Sequence, residues 1–134
     1  MNQFSLNGLD NLQKKLDQLL ITSKEKVMES LLESGNDLKQ TAIEDMHQSK
    51  SGKMYGSHQA SAPGESPAEF YGKLIESIKV RQEGDSVIIG TVLNYGTYLE
   101  LGTSRIAARP WLNPAYKKTL PSVIEKLNRI NLVT

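Results

Sequence analysis

Residues 94 to 116 read NYGTYLELGTSRIAARPWLNPAY and contain Trp111, the single tryptophan of this 134-residue chain. Tyr95, Tyr98 and Leu101 recur at helical spacing, and Gly102 follows them where glycine commonly ends a helix. We therefore predict a short helix that ends at Gly102, followed by an extended connection over residues 103 to 112.

The connection has two interpretations, which are compatible with each other. In the first, Trp111 and Leu112 fill the core beneath a C-terminal helix, and Pro110 fixes the direction in which the chain approaches that helix. In the second, Arg105 and Arg109 flank a contact with another protein, because arginine is enriched in protein interfaces.

A C-terminal helix is predicted to follow the connection. Asn113 is a favoured cap residue, and Pro114 then occupies the first helical position, where proline costs no hydrogen bond. Pro121 lies inside the same pattern and predicts a kink or a restart. The expected buried face consists of Leu120, Val123, Ile124, Leu127 and Ile130.

A β-hairpin is predicted upstream, over about residues 77 to 92. Residues 78 to 81 alternate apolar and basic side chains, residues 83 to 85 form a turn, and residues 86 to 92 (SVIIGTV) are rich in β-branched side chains. A short helical turn through Leu74 and Ile78 leads into the hairpin.

The N-terminal region predicts two helices. The first carries a stripe at three-to-four spacing, after a short strand at residues 4 to 6 and a cap at Asn7. Thr22 and Glu25 have the spacing of a capping box, which predicts that a second helix runs from about 23 to about 47. Gly35 interrupts that helix and weakens it by about 1 kcal/mol relative to alanine. The stripe of the first helix is Leu9, Leu12, Leu16, Leu19 and Leu20, and that of the second is Val27, Leu31, Leu38, Ala42 and Met46.

Residues 48 to 68, QSKSGKMYGSHQASAPGESPA, are rich in serine, glycine, proline and lysine. This composition offers almost nothing to bury, so we expect a long flexible loop. Helices, then a hairpin, then helices predict an α+β fold in which helices cover a small antiparallel sheet. The length predicts a single domain over residues 1 to 134.

The composition argues against several classes of function. Sixteen basic and fifteen acidic side chains leave a net charge of +1, which gives no global field for a nucleic acid or an anionic membrane. There is no cysteine to form a disulfide, a thiolate metal site or a nucleophile. No apolar run approaches the length that spans a bilayer, so we expect no membrane association.

Candidate catalytic and metal-binding residues are weak. His47 and His58 have no fixed acidic or nucleophilic partner in the predicted elements, so exposed histidines are the better interpretation. The Ser23-x-x-Lys26 pattern falls near a predicted helix start, without the two further motifs of serine acyltransferases. Glu44-Asp45-x-His47 lacks a third metal ligand. We expect neither an enzyme nor a cofactor.

A nucleic-acid-binding module is the alternative from another class. Basic residues with interleaved tyrosines could follow a phosphate backbone, but six acidic residues dilute the same region, so nucleic-acid binding is the less favoured interpretation. The basic residues are Lys50, Lys53, Lys73, Lys79, Arg81, Arg105 and Arg109, and the tyrosines are Tyr55 and Tyr71.

Three motifs, in order, resemble the tail-completion or head-tail joining proteins of long-tailed phages, the group named after gene product ten of the HK-97-type phage. They are residues 72 to 78 (GKLIESI), residues 95 to 103 (YGTYLELGT) and residues 108 to 115 (ARPWLNPA). Residues 6 to 12 also resemble the start of that family. Trp111 stands where phenylalanine is more frequent, and Pro121 is a departure within the last helix.

The resemblance implies a structural virion protein. It implies a ring, with six copies expected, at the head-proximal end of the tail, in contact with the tail tube protein and the head connector or stopper protein. The isolated chain, made in the cytoplasm of the host bacterium, is then expected to be a monomer or a weak oligomer. A tail terminator and a head-side stopper stay open as alternatives within this class.

Site predictions follow from composition and from the motifs. Exposure and composition favour Lys50, Lys53, Tyr55, Arg105 and Arg109 as interaction residues. The motif residues expected to act as fold determinants are Tyr95, Tyr98, Glu100, Gly102, Thr103, Pro110 and Trp111.

Overall fold

The computed structural model describes residues 8–68 and 72–130. Within these ranges, four helices and two two-stranded antiparallel sheets confirm the α+β prediction, with a hairpin between the N- and C-terminal helices. The strand predicted at residues 4 to 6, the cap at Asn7, and Tyr71 lie outside the described residues. The elements are α1 (Gly8–His47), β1 (Met54–Tyr55), β2 (His58–Gln59), α2 (Lys73–Ser77), β3 (Lys79–Glu83), β4 (Ser86–Gly90), α3 (Asn94–Leu101) and α4 (Asn113–Asn128).

Helix α1 is continuous over 40 residues, so the predicted break near Thr22 is wrong. Ser23 lies inside the helix, where its hydroxyl donates to the carbonyl of Leu19 at 2.7 Å. This bond to the residue four positions earlier is available only to a serine already in a helix. The capping-box spacing of Thr22 and Glu25 therefore occurs within the helix and does not start one.

The β3–β4 hairpin has the predicted alternation. Val80 pairs with Ile89 and Gln82 pairs with Val87, and the two-residue turn at residues 84 and 85 joins the strands. Val80 and Val87 lie against α1 at Gly35, where an added Cβ would be 2.8 Å from a methyl carbon of Val80 and 3.1 Å from one of Val87. Gly35 is therefore the point at which helix and hairpin approach closely, a role that helix propensity does not reveal.

Helix α4 runs antiparallel to the C-terminal half of α1. Lys118 pairs with Asp45 at 2.6 Å, and Lys126, farther along α4, pairs with Glu33 at 3.3 Å and also with Asp37. The hydrogen bond to Asp37 raises the pKa of Lys126, and Glu33 adds to that effect. These pairs, each with at least one exposed partner, accompany the antiparallel contact and add little to its strength.

The predicted restart at Pro121 is absent, because α4 continues without interruption to Asn128. Pro121 is exposed, so the carbonyl that loses its intrahelical bond lies on the solvent side, where water can satisfy it. The predicted cap is also wrong: Leu112 precedes the helix, Asn113 is its first residue, and no side chain of the cap residue bonds to the helix.

The core lies between the second half of α1, the short helix α2, and the start of α4. Trp111 is 2% exposed and belongs to this core, which confirms that it packs beneath the C-terminal helix. The buried apolar residues are Leu38, Ala42, Met46, Leu74, Ile78, Trp111 and Ala115. In contrast, every residue from 8 to 21 is exposed within the described parts of the chain.

Replacing Gly35 with alanine should lower the free energy of unfolding. Helix propensity alone favours alanine by about 1 kcal/mol, but forcing a methyl group against Val80 and Val87 costs about 1–3 kcal/mol. Urea denaturation of Gly35→Ala measures the net effect. The control is Asn36→Ala, on the exposed side of the same helix, which should be neutral or slightly stabilising. A Gly35→Ala variant more stable than the control would contradict this expectation and show that the hairpin shifts to accommodate the methyl group.

Candidate functional site

Glu100 joins the last two sequence motifs. Its carboxylate accepts the backbone N–H groups of Trp111 at 2.7 Å, Leu112 at 2.8 Å and Asn113 at 2.9 Å. These donors lie at the N-terminus of α4, where N–H groups have no partner within the helix and where negative charge is favoured. Glu100, near the end of α3, therefore caps α4 from eleven or more residues away.

Two glycines allow the backbone segments next to this cap to approach each other closely. The indole N–H of Trp111 donates to the carbonyl of Gly96 at 2.8 Å, and an added Cβ on Gly96 would be 2.5 Å from the Thr91 methyl group. Gly102 ends α3 with φ 75°, and a Cβ there would be 2.9 Å from the backbone nitrogen of Ala108. The predicted glycine cap of α3 is thus confirmed, and it also permits the return of the chain toward Glu100.

Thr103 and Arg109 organise the connection between α3 and α4. The hydroxyl of Thr103 accepts the backbone N–H groups of Arg105 at 3.1 Å and Ile106 at 3.2 Å. The backbone N–H of Arg109 donates to the carbonyl of Leu99 at 2.6 Å. These bonds hold residues 103 to 112 in a compact connection, which places the N-terminus of α4 beside Glu100.

Replacing Glu100 with glutamine should destabilise the fold. A glutamine side chain offers one acceptor oxygen in place of two, so at least one backbone N–H at the start of α4 loses its partner, at a cost of about 1–3 kcal/mol. Chemical denaturation checks this expectation. Glu76→Gln, at an exposed position of α2, removes the same charge and should change stability little. Equal effects of the two substitutions would contradict the cap.

Residues 48 to 68 contain local structure that their composition did not indicate. The β1–β2 hairpin lies in this loop, with Met54 paired to Gln59 and Tyr55 to His58. Ser61 and Pro67 are buried, although we expected almost nothing to be buried here. The loop is thus attached to the body of the protein at definite points.

Glu65 is the centre of the loop. Its carboxylate accepts the hydroxyl and the backbone N–H of Ser51 and the backbone N–H of Ala62, the last at 2.8 Å. The Ser51 hydroxyl, followed by the two N–H groups, lowers the pKa of Glu65. Partial burial lowers the pKa of nearby Lys50, and the carboxylates of Glu65 and Asp45 oppose that shift.

Arg109 attaches the loop to the connection before α4. Its Nε donates to the carbonyl of Ser61 at 3.2 Å, and its Nη1 donates to the carbonyl of Ala107 at 3.2 Å. Close by, the N–H of Gly64 donates to the carbonyl of Ala108 at 2.9 Å. The Arg109 side chain therefore has partners within the chain, and its role in an interface stays a prediction.

The attachment of the loop at Glu65 should weaken in acid. Because the pKa of Glu65 in the folded chain is below the ordinary value of about 4.3, its contribution is complete above that value and disappears as the pH falls through the lowered pKa. The amide resonances of Ser51 and Ala62 should report this transition in NMR spectra. Glu65→Gln should abolish it, and a midpoint at or above the ordinary value would contradict the proposed bonds.

An exposed apolar surface follows α3. Tyr95, Tyr98 and Leu101 recur every three residues along this helix and are 41%, 50% and 74% exposed. Val92 and Ile106, which flank the helix in sequence, are 90% and 40% exposed. We refer to these five residues as the α3 surface. Apolar side chains exposed together on one helix are typical of sites of protein contact, and the two tyrosines are more accessible to a partner than to the core.

The remaining predicted interaction residues lie on two separate loops. Lys53 and Tyr55 are exposed in the β1–β2 region, with the ammonium 5.4 Å from the ring centre. Arg105 is exposed in the connection after α3. Lys50 and Glu65 thus belong to the loop over residues 48 to 68, and Arg109 bonds to that loop. Arg105 directly precedes Ile106 of the α3 surface in sequence.

The basic residues of the hairpin lie near one end of the α3 surface, at Val92. Lys79 and Arg81 lie on the side of β3 away from α1, beside a groove of about 170 Å³ that Ile88 and Val92 also line. Arg81 pairs with Glu83 at 3.0 Å. The positive charge available to a phosphate backbone is therefore local and partly neutralised.

The weak catalytic candidates remain dispersed. Ser23 donates to the backbone of its own helix, and Asp45 pairs with Lys118. Within residues 8–68 and 72–130, no three histidine, aspartate or glutamate side chains form a metal-binding group. None of the described helices is long and apolar enough to cross a membrane.

No protein-family model, curated protein or solved structure matches this chain.

Proposed function

We propose that this chain is a structural virion protein of a long-tailed bacteriophage, which completes the tail at its head-proximal end and joins it to the head. In this proposal, copies assemble as a ring, with six expected, between the tail tube protein and the head connector. The tail terminator and the head-side stopper are alternatives within the same class.

The relation among the three motifs is the main support. Leu74 and Ile78 of the first motif are buried in the core, Glu100 of the second bonds to the third, and Trp111 of the third bonds to Gly96 of the second. The motifs that carry the resemblance thus form one connected structural unit.

Exposed apolar side chains are a second support. The α3 surface presents two tyrosines and three aliphatic residues to solvent, and aromatic side chains are enriched where proteins meet. The long helix α1 presents a further row of leucines. A subunit that acts by assembly requires such surfaces, and more than one of them if it contacts both its own copies and two different partners.

Electron microscopy of a lysate tests the proposal. The parent phage should carry an early stop codon in this gene, and the control is the same lysate complemented with the intact gene. Filled heads beside separate tails of normal length are expected. Overlong tail tubes would favour the tail terminator instead, and normal infectious particles would contradict a role in the virion.

The nucleic-acid alternative has its own signature. Binding through Lys79, Arg81 and the basic loop would fall steeply between about 50 and 200 mM salt. If the chain has no affinity for duplex DNA at low salt, this alternative is removed. Normal particles in the lysate, together with salt-dependent binding to duplex DNA, would favour the nucleic-acid-binding function over the assembly proposal.

A further inference from the structure

The loop over residues 48 to 68 contains an exposed hairpin, residues 53 to 59, which we name the arm. Met54 is 53% exposed and Tyr55 is 60% exposed, and the Lys53 ammonium lies 5.4 Å from the centre of the Tyr55 ring. Residues 48 to 64 contain two lysines and no acidic residue. The arm therefore presents an aromatic ring and an apolar side chain together with a positive charge.

Hydrogen bonds hold the base of the arm in place. The N–H of Gly52 donates to the carbonyl of Ala60 at 2.9 Å, and the N–H of Ala60 donates to the carbonyl of Lys53 at 2.9 Å. Ser51, next to this base, is bound to the carboxylate of Glu65. An arm that is already ordered loses less conformational freedom on binding than a free loop does.

A cleft of about 450 Å³ lies between α1 and the turn of the β3–β4 hairpin. Met28 and Leu32, both partly buried, form its apolar lining. Among the described residues that line it, Lys24 is the one basic side chain and three are acidic: Glu25, Glu29 and Asp85. The cleft therefore combines an apolar lining with a net negative charge, which suits an apolar group that carries a positive charge.

The arm cannot fill the cleft of its own chain. The chain leaves α1 at His47, and the Lys50 ammonium donates to the carbonyl of Asp45 at 2.8 Å, so the arm starts beside the end of α1. Met28 is nineteen residues from His47, which corresponds to about 28 Å of helix. The five residues from Lys50 to Tyr55 reach at most about 17 Å, so only another molecule can bring such an arm to the cleft.

We propose that the arm of one copy of this chain binds in the cleft of a second copy. Tyr55 then lies against Met28 and Leu32 of the next copy, and Lys53 lies beside the acidic side chains. Pairing of two arms or of two clefts would bring like charges together, which is unfavourable. Arm and cleft are different surfaces of one chain, so the contact is head-to-tail and forms a ring when its rotation closes. The proposal rests on the self-association in the proposed function and specifies the surfaces that form it.

Two variants separate the arm from the cleft. The arm variant is Lys53→Glu/Tyr55→Ala, and the cleft variant is Glu25→Lys/Glu29→Lys. All of these positions are exposed, so the melting temperature of each dilute chain should not change. In sedimentation velocity over a range of concentrations, the full-length wild type should associate. Each variant alone should associate at least about tenfold more weakly.

An equimolar mixture of the two variants tests the head-to-tail geometry. The cleft variant keeps an intact arm and the arm variant keeps an intact cleft, so one contact can form and cannot be continued. The mixture should therefore give a dimer with one copy of each variant and nothing larger. A mixture that stays monomeric at concentrations where the wild type associates would overturn the proposal.

Matched controls make the same changes elsewhere. Tyr116→Ala/Lys117→Glu removes a ring that is 47% exposed and reverses one exposed charge on α4. Asp10→Lys/Asp17→Lys reverses two exposed acidic side chains on α1 that do not line the cleft. Both control variants should associate like the wild type.

The outcomes separate this inference from the proposed function. A wild-type chain that stays monomeric up to its solubility limit, or an arm variant that associates like the wild type, would overturn the inference, and the lysate would still test the virion role. Association through the arm and the cleft, together with normal particles in the lysate, would leave the inference intact and remove the virion role.

Discussion

The carboxylate of Glu100 is the contact on which the arrangement of the second half of the chain depends. It holds three backbone N–H groups at the start of α4, and so it fixes where Trp111 enters the core and where α4 begins. Since α4 then lies along α1, this side chain helps to set where the two helices meet, together with the core packing and the ion pairs between them. A helix start without such a partner would leave donors unsatisfied at the edge of the core.

The hydrophobic core is small and lies at one end of a long helix. Leu38, Ala42 and Met46 of α1 are buried, whereas residues 8 to 21 of the same helix are exposed within the described chain. Close approaches at Gly35 and Gly96 allow the hairpin and α3 to reach that core. The fold therefore concentrates its packing in one region and leaves the N-terminal part of α1 exposed within the described chain.

The two exposed apolar surfaces differ in shape and chemistry. The exposed leucines of α1 form a purely aliphatic row, while the α3 surface combines tyrosines with aliphatic residues on a short helix and its flanks. The leucines of that row are Leu9, Leu12, Leu16, Leu19 and Leu20.

The sequence by itself determined the α+β class, the hairpin, the glycine end of α3 and the burial of Trp111, because these follow from local periodicity and from turn and cap preferences. Only the tertiary structure decided that α1 is continuous, that Gly35 is a contact point, that Glu100 caps α4, and that Glu65 and Arg109 attach the loop. Apart from the continuity of α1, these contacts depend on residues that are distant along the chain: Glu100 is eleven residues from Trp111, and Arg109 is forty-eight from Ser61. Spacing patterns describe neighbours within one element, so they cannot identify partners that only folding brings together.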